Sequence, residues 1–203
     1  LSNVDAIIHL VRCFEDDDIT HVNNMISPID DIKIIETELL ISDLEKAEKI
    51  MENYLKKNKG KKLDQSFIQA LEISKKLLED GKFLREKSFS ANEYNILKSY
   101  SFLTLKPIIY VCNVDEDSVV KGNSFSKLVE TFSKEKKSDC IKISAKIESE
   151  ISNFNNEFEK IEFLESLGLK ETSLSSLISK GYDILDLITF FTSGKKESRA
   201  WAI

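Results

Sequence analysis

The 203-residue sequence predicts an α/β protein, a parallel sheet interrupted by a long helical insertion, and three observations predict it. Short apolar runs at 6–14, 108–112 and 140–143 each end in a polar loop, as strands buried in a parallel sheet do. Between the first two lie about 75 residues whose apolar positions recur at helical spacing. Between the last two lies one amphipathic helix, and strand, loop, helix, strand order implies parallel pairing through right-handed crossovers.

The first run, Ala6-Ile7-Ile8-His9-Leu10-Val11-Arg12-Cys13-Phe14, reads as a buried strand entering the acidic cluster Glu15, Asp16, Asp17 and Asp18. Ser27-Pro28-Ile29-Asp30 then offers an N-cap, a proline at the first helical position and a carboxylate three residues past the cap, so a helix starts there. Leu40, Leu44, Ala47, Met51 and Tyr54 follow at spacings of four, three, four and three, the seam of a packed helical hairpin or coiled coil. The chain turns near Gly60, and Leu63, Phe67, Leu71 and Leu78 continue on a returning helix that Gly81 ends. Ser90-Ala91-Asn92-Glu93 is a capping box opening a third helix that runs to about Phe102.

Beyond Pro107 the period changes. Ile108-Ile109-Tyr110-Val111-Cys112 is a continuous apolar strand with the turn Asn113-Val114-Asp115-Glu116 at its carboxyl end. A helix with Phe125, Leu128, Val129 and Phe132 on one side leads to the strand Cys140-Ile141-Lys142-Ile143, which ends in Ser144-Ala145-Lys146. Helices over 157–167 and 174–187 close the domain. The expected division is 1–26 and 103–189 for the α/β part, 27–102 for the arm, and 190–203 for the start of a following domain or its linker. Leu1 is not an initiator methionine and Arg199–Ile203 reads as a strand without its turn, so the sequence is expected to be an internal piece of a longer protein.

Apolar residues at 41% and charged residues at 32% fit a soluble, cytoplasmic protein, and no run approaches the ~18 apolar residues of a membrane helix. A formal charge of −6 argues against bulk attraction to DNA or RNA, so any RNA contact must come from a local basic patch. Cys13, Cys112 and Cys140 are odd in number and lack metal-ligand spacing; reduced packing residues are expected.

Ligands of open parallel sheets sit at the carboxyl ends of the strands. The Asn113–Glu116 and Ser144–Lys146 loops, at two such ends, lie 31 positions apart. They resemble the Asn-Lys-x-Asp and Ser-Ala-Lys elements that flank the purine in Ras-like P-loop NTPases. Longer stretches, Val11–Val22, Tyr100–Pro107, Phe163–Leu169 and Phe190–Ile203, are similar to segments of the YchF (Obg-like) ATPases, and the resemblance covers nearly the whole chain.

That resemblance implies a partial P-loop NTPase (G-domain) sheet with an inserted α-helical coiled-coil arm and a following TGS domain. It implies hydrolysis of ATP, with GTP tolerated, and binding to the ribosome through its large subunit and rRNA. Asn113, Val114, Glu116, Ser144, Ala145 and Lys146 are the expected base-binding residues. His21 matches a histidine held to orient the attacking water, and the alternative is a loop histidine without catalytic duty. Lys56, Lys57, Lys59, Lys61 and Lys62 at the arm tip are expected to meet ribosomal phosphates, against the plainer reading of a solvated turn. Asp16, Asp17 and Asp18 are read as a solvated loop in preference to a metal site. The Gly-rich loop that cradles phosphates and Mg²⁺ is expected upstream of Leu1, which would leave these residues inactive by themselves. A non-catalytic ribosome- or RNA-binding module is the competing function, and the altered base loop disfavours an ordinary Obg-type GTPase.

Overall fold

A computed structural model describes residues 4–16, 26–194 and 197–203. The chain divides into two units, one holding Asp30–Pro107 together with the first five residues, the other Ala6–Ile29 and Ile108–Ile203.

In the second unit β1 (Ile7–Arg12), β2 (Ile108–Asn113) and β3 (Asp139–Ile143) form a parallel sheet in the order β1-β2-β3. β1 meets β2 from Ile7↔Ile108 to Arg12↔Asn113, and β2 meets β3 from Ile109↔Asp139 to Asn113↔Ile143. The register brings the ends of all three strands to one edge. β2 lies in the middle, and Ile108–Cys112 are at most 1% exposed, which is why that run is apolar without alternation. β1 departs from its expected burial: Val11 is buried, but Ile8 and Leu10 are 55% and 57% exposed. Side chains two apart share a face, and Ile8 and Leu10 lie on the face of β1 that the described residues leave uncovered.

α4 (Ser124–Glu135) packs on β2 and β3. Its buried stripe is Ser126, Val129 and Ser133, while Leu128, expected on the inner side, is exposed. At 100° per residue Leu128 falls well off that stripe. Phe132 meets Tyr110 edge to face with ring centroids 5.7 Å apart. α5 (Ala145–Ser152), α6 (Glu157–Ser166) and α7 (Ser173–Ile184) follow, and α5 was not among the expected helices. Its sequence signal is Ile147 and Ile151, four apart and both buried. The chain ends in an antiparallel hairpin of β4 (Thr189–Ser193) and β5 (Ser198–Ala202), where Phe190 stacks on Trp201. The Arg199–Ile203 strand therefore has a partner that sequence reasoning did not supply.

In the first unit α1 (Pro28–Lys57) and α2 (Gln65–Glu79) form a hairpin, with Pro28 at the first helical position as expected. α1 has 30 residues, an extent of about 45 Å at 1.5 Å per residue. Gly60 turns the tip with a φ of +77°, a left-handed conformation that glycine adopts without steric penalty. Asp64 caps α2 by accepting from the Ser66 and Phe67 N–H groups, and Tyr54 Oη accepts from the Asp64 N–H at 2.9 Å. Ala47 of the predicted seam is buried against Phe67, Ala70, Leu71 and Leu78, with Leu40, Leu44, Met51 and Tyr54 around them.

α3 (Ala91–Ser99) begins at the predicted Ser90–Glu93 capping box but stops short of Phe102. Ser101 takes a φ of +53°, which breaks the helix and turns Phe102 fully into the arm core. The next two N–H groups then face Asp43 of α1, itself 0% exposed. Its carboxylate accepts from Leu103 N at 3.1 Å, Thr104 N at 2.6 Å and Thr104 Oγ1 at 2.7 Å.

Candidate nucleotide-base site

Two polar loops meet at the carboxyl edge of the sheet, and backbone hydrogen bonds set their positions. Asn113 O accepts from Cys13 N at 2.8 Å, which extends the β1 ladder by one residue, and Val114 N donates to Ile143 O at 2.8 Å. Asn113 Oδ1 accepts from the Ala145 N–H at 3.0 Å. That bond joins the end of β2 to the first turn of α5, so one side chain couples the loops. With Oδ1 committed, the amide NH₂ of Asn113 is its remaining donor.

Ser144 is the N-cap of α5, its Oγ accepting from the Ile147 N–H at 3.4 Å, and it is buried. Val114 is likewise buried at 2% exposure, so it packs beneath the loop. Glu116 forms an ion pair with Lys146 across the two loops. The lysine hydrogen bond and charge hold the Glu116 carboxyl below its usual range, and Glu116 raises the Lys146 ammonium above its own. Both groups are therefore charged at neutral pH.

Asp115 points elsewhere. It caps a short 3₁₀ turn over Glu116–Ser118 by accepting from Ser118 N at 2.9 Å, and Asn123 Nδ2 reaches its Oδ2 at 3.4 Å. Partial burial opposes ionisation of Asp115, but hydrogen bonds from Ser118 and Asn123 outweigh it and lower the carboxyl below its ordinary value.

The edge thus gathers the Asn113 amide donor, the N-terminus of α5 and a neutralised ion pair. No Gly-x-x-x-x-Gly-Lys-Ser/Thr element, the pattern that cradles phosphates, occurs in the 203 residues. Among the described residues no cluster of three His, Cys, Asp or Glu could hold a metal ion.

No protein-family profile matches the chain. The Haemophilus influenzae protein named ribosome-binding ATPase YchF is 40% identical over 204 residues, covering 100% of this chain and 56% of that relative. The Bacillus subtilis protein of the same name is 41% identical over 204 residues, covering 99% and 56%. A solved structure of the Schizosaccharomyces pombe YchF GTPase matches with a TM-score of 0.82 at 33% identity, over 100% of this chain and 56% of that one. By sequence and by backbone the chain is similar to these YchF proteins. It spans about half the length of the curated relatives it matches.

The structure of this segment, similar to YchF, joins Asn113 to Ala145 and Glu116 to Lys146, and buries Val114 and Ser144. His21, Asp17 and Asp18 lie outside the described residues, and Asp16 is exposed. The five tip lysines fall in the other unit, at the end of α1 and in the turn after it, and all are exposed; Lys56 pairs with Glu52. Cys13, Cys112 and Cys140 are free thiols, with the Cys112 and Cys140 sulfurs 3.6 Å apart. A hydrogen bond with Cys13 and burial push the Cys112 thiol up, and Cys112 and burial do the same to Cys140, so both resist ionisation.

Sequence reasoning missed Asn123. Asn123 and Ser126 form a reciprocal capping pair at the start of α4, and an Asn three residues before a Ser at a helix start was the available signal.

Proposed function

We propose that this chain is the base-recognising part, with its inserted arm, of a ribosome-associated P-loop nucleotide hydrolase that acts on ATP in the cytoplasm. The observation that carries the proposal is the Asn113 Oδ1 bond to Ala145 N–H, which fixes two loops side by side at a sheet edge where nucleotides bind. The curated relatives' names supply ATP and the ribosome, and the solved structure's name supplies GTP. Mg²⁺ and the phosphates would be held by residues outside these 203, and the ion would supply neutralisation of phosphate charge.

The preference for adenine rests on Glu116. A carboxylate facing the Watson–Crick edge of guanine would accept from its N1–H and exocyclic amine as a charge-assisted pair. Adenine presents an acceptor at N1 and would be repelled. Lys146 engages Glu116 and draws that carboxylate aside. Equilibrium titration of the full-length protein with labelled ATP and GTP is the test: ATP is expected to bind more tightly, and Glu116→Asp, too short to hold Lys146 equally well, to move the affinity ratio toward GTP by about tenfold. Tighter GTP than ATP binding by the wild type would overturn the assignment.

A ribosome-binding module without nucleotide turnover is the second reading, favoured by the exposed lysines at the arm tip. Replacing Lys56, Lys57, Lys59, Lys61 and Lys62 with Glu is expected to weaken co-sedimentation with ribosomes and flatten its salt dependence, since fewer condensed counterions are released. ATP affinity should stay unchanged. Equal co-sedimentation of wild type and variant across several salt concentrations would leave the tip as a solvated turn.

A further inference from the structure

We infer that Asn123 is a positioning residue for the base loop, holding Asp115, and through it Val114 and Glu116, against the end of β1. The inference rests on the purine-site reading above and adds a residue that never faces the nucleotide.

One side chain serves three elements. Asn123 Oδ1 accepts from Ser126 N at 2.9 Å and so caps α4. Its Nδ2 donates to Cys13 O at 2.7 Å and lies 3.4 Å from Asp115 Oδ2. Capping uses only the oxygen; the two contacts that reach the sheet edge use only the NH₂. Cys13 thereby has both backbone groups fixed, its N–H on Asn113 O and its C=O on Asn123. The approach to Asn123 is also tight. Gly122 turns with a φ of +71° while its N–H bonds to Ser118 O at 2.7 Å, and a Cβ there would meet Ser126 Oγ at 2.7 Å. The 118–122 turn is closed on itself, so Asn123 returns to the loop at a fixed point beside Asp115.

The separation of oxygen and nitrogen roles makes the inference testable. Asn123→Ser keeps a good N-cap and deletes the donor. In the full-length protein it is expected to weaken labelled-ATP binding about tenfold while α4 remains capped and the protein folded. Ser126→Ala removes the reciprocal capping bonds, Asn123 N to Ser126 Oγ at 2.9 Å and Ser126 Oγ to Asn123 O at 3.1 Å, but leaves the NH₂ contacts. It is expected to lower the melting temperature without changing ATP affinity. Pairing Asn123→Ser with Asp115→Asn in a double-mutant cycle should give non-additive losses in ATP affinity, because the two side chains act as one unit. If Asn123→Ser does not yield folded protein, Asn123→Asp provides the same reading: its carboxylate caps α4 but repels Asp115 and the Cys13 carbonyl. Wild-type ATP affinity in a folded Asn123 variant overturns the inference and leaves the purine site standing, as does an equal loss of affinity in Ser126→Ala. A wild-type protein that binds neither ATP nor GTP overturns both.

Discussion

Replacing Asp43 with alanine is expected to lower the unfolding free energy by about 3–5 kcal/mol, far more than a surface carboxylate would. Asp43 is fully buried in the arm and takes three hydrogen bonds, two from backbone N–H groups and one from the Thr104 hydroxyl. Leu103 and Thr104 are themselves buried, so no water replaces the lost acceptor. Each orphaned N–H costs about 1–3 kcal/mol, and the hydroxyl adds to that. Lys46 steadies the same segment from one turn further along α1, donating to Ser101 O at 3.0 Å. Asp43→Asn retains one acceptor oxygen and should fall between the wild type and the alanine variant, while Thr104→Val, which loses only the hydroxyl bond, should be mildest. Urea unfolding checks the order through the midpoint at unchanged m-value. A loss below about 1 kcal/mol for Asp43→Ala would show that the segment rearranges to satisfy itself.

Asp43 also shows where a sequence reading stops. The α1 seam was legible because Leu40, Leu44, Ala47, Met51 and Tyr54 repeat at helical spacing. A carboxylate on the inner side is invisible to apolar periodicity, and its partners lie 60 and 61 residues away. β2 was legible because a central parallel strand is buried on both faces and leaves an unbroken apolar run. β1 carries a similar run, yet only the sheet order shows it at the edge with Ile8 and Leu10 uncovered. At the candidate site, Asn113, Glu116, Ala145 and Lys146 were legible as a pattern of residue types at strand ends. α5 was hidden by that same pattern: Ser144 and Ala145 read as a loop motif, although Ser144 is at once the loop and the cap of a helix. Asn123 escaped because its function lies in contacts 8 and 110 residues distant, which no local spacing encodes.

The second large effect is expected at Asn113, where substitution separates the loop's architecture from its use. Asn113→Ala deletes both the acceptor for the Ala145 N–H and the NH₂ donor, so the two loops lose their link, and under the proposed function the purine loses a partner as well. ATP affinity is expected to fall about 10- to 100-fold, corresponding to one or two hydrogen bonds in a partly desolvated site. Asn113→Asp distinguishes the two contributions. Its carboxylate still accepts from Ala145 N–H, and a charged acceptor makes that bond stronger, so the loops stay joined and the melting temperature should hold. The same carboxylate offers no donor to N7 of the base and repels it. N7 is common to adenine and guanine, so Asn113→Asp should weaken ATP and GTP binding equally, whereas Glu116→Asp should change their ratio. Titration of both variants with both nucleotides, alongside thermal melts, reads these effects separately. Asn113→Asp binding ATP as tightly as the wild type would remove Asn113 from the base site and reduce its side chain to a strut between β2 and α5.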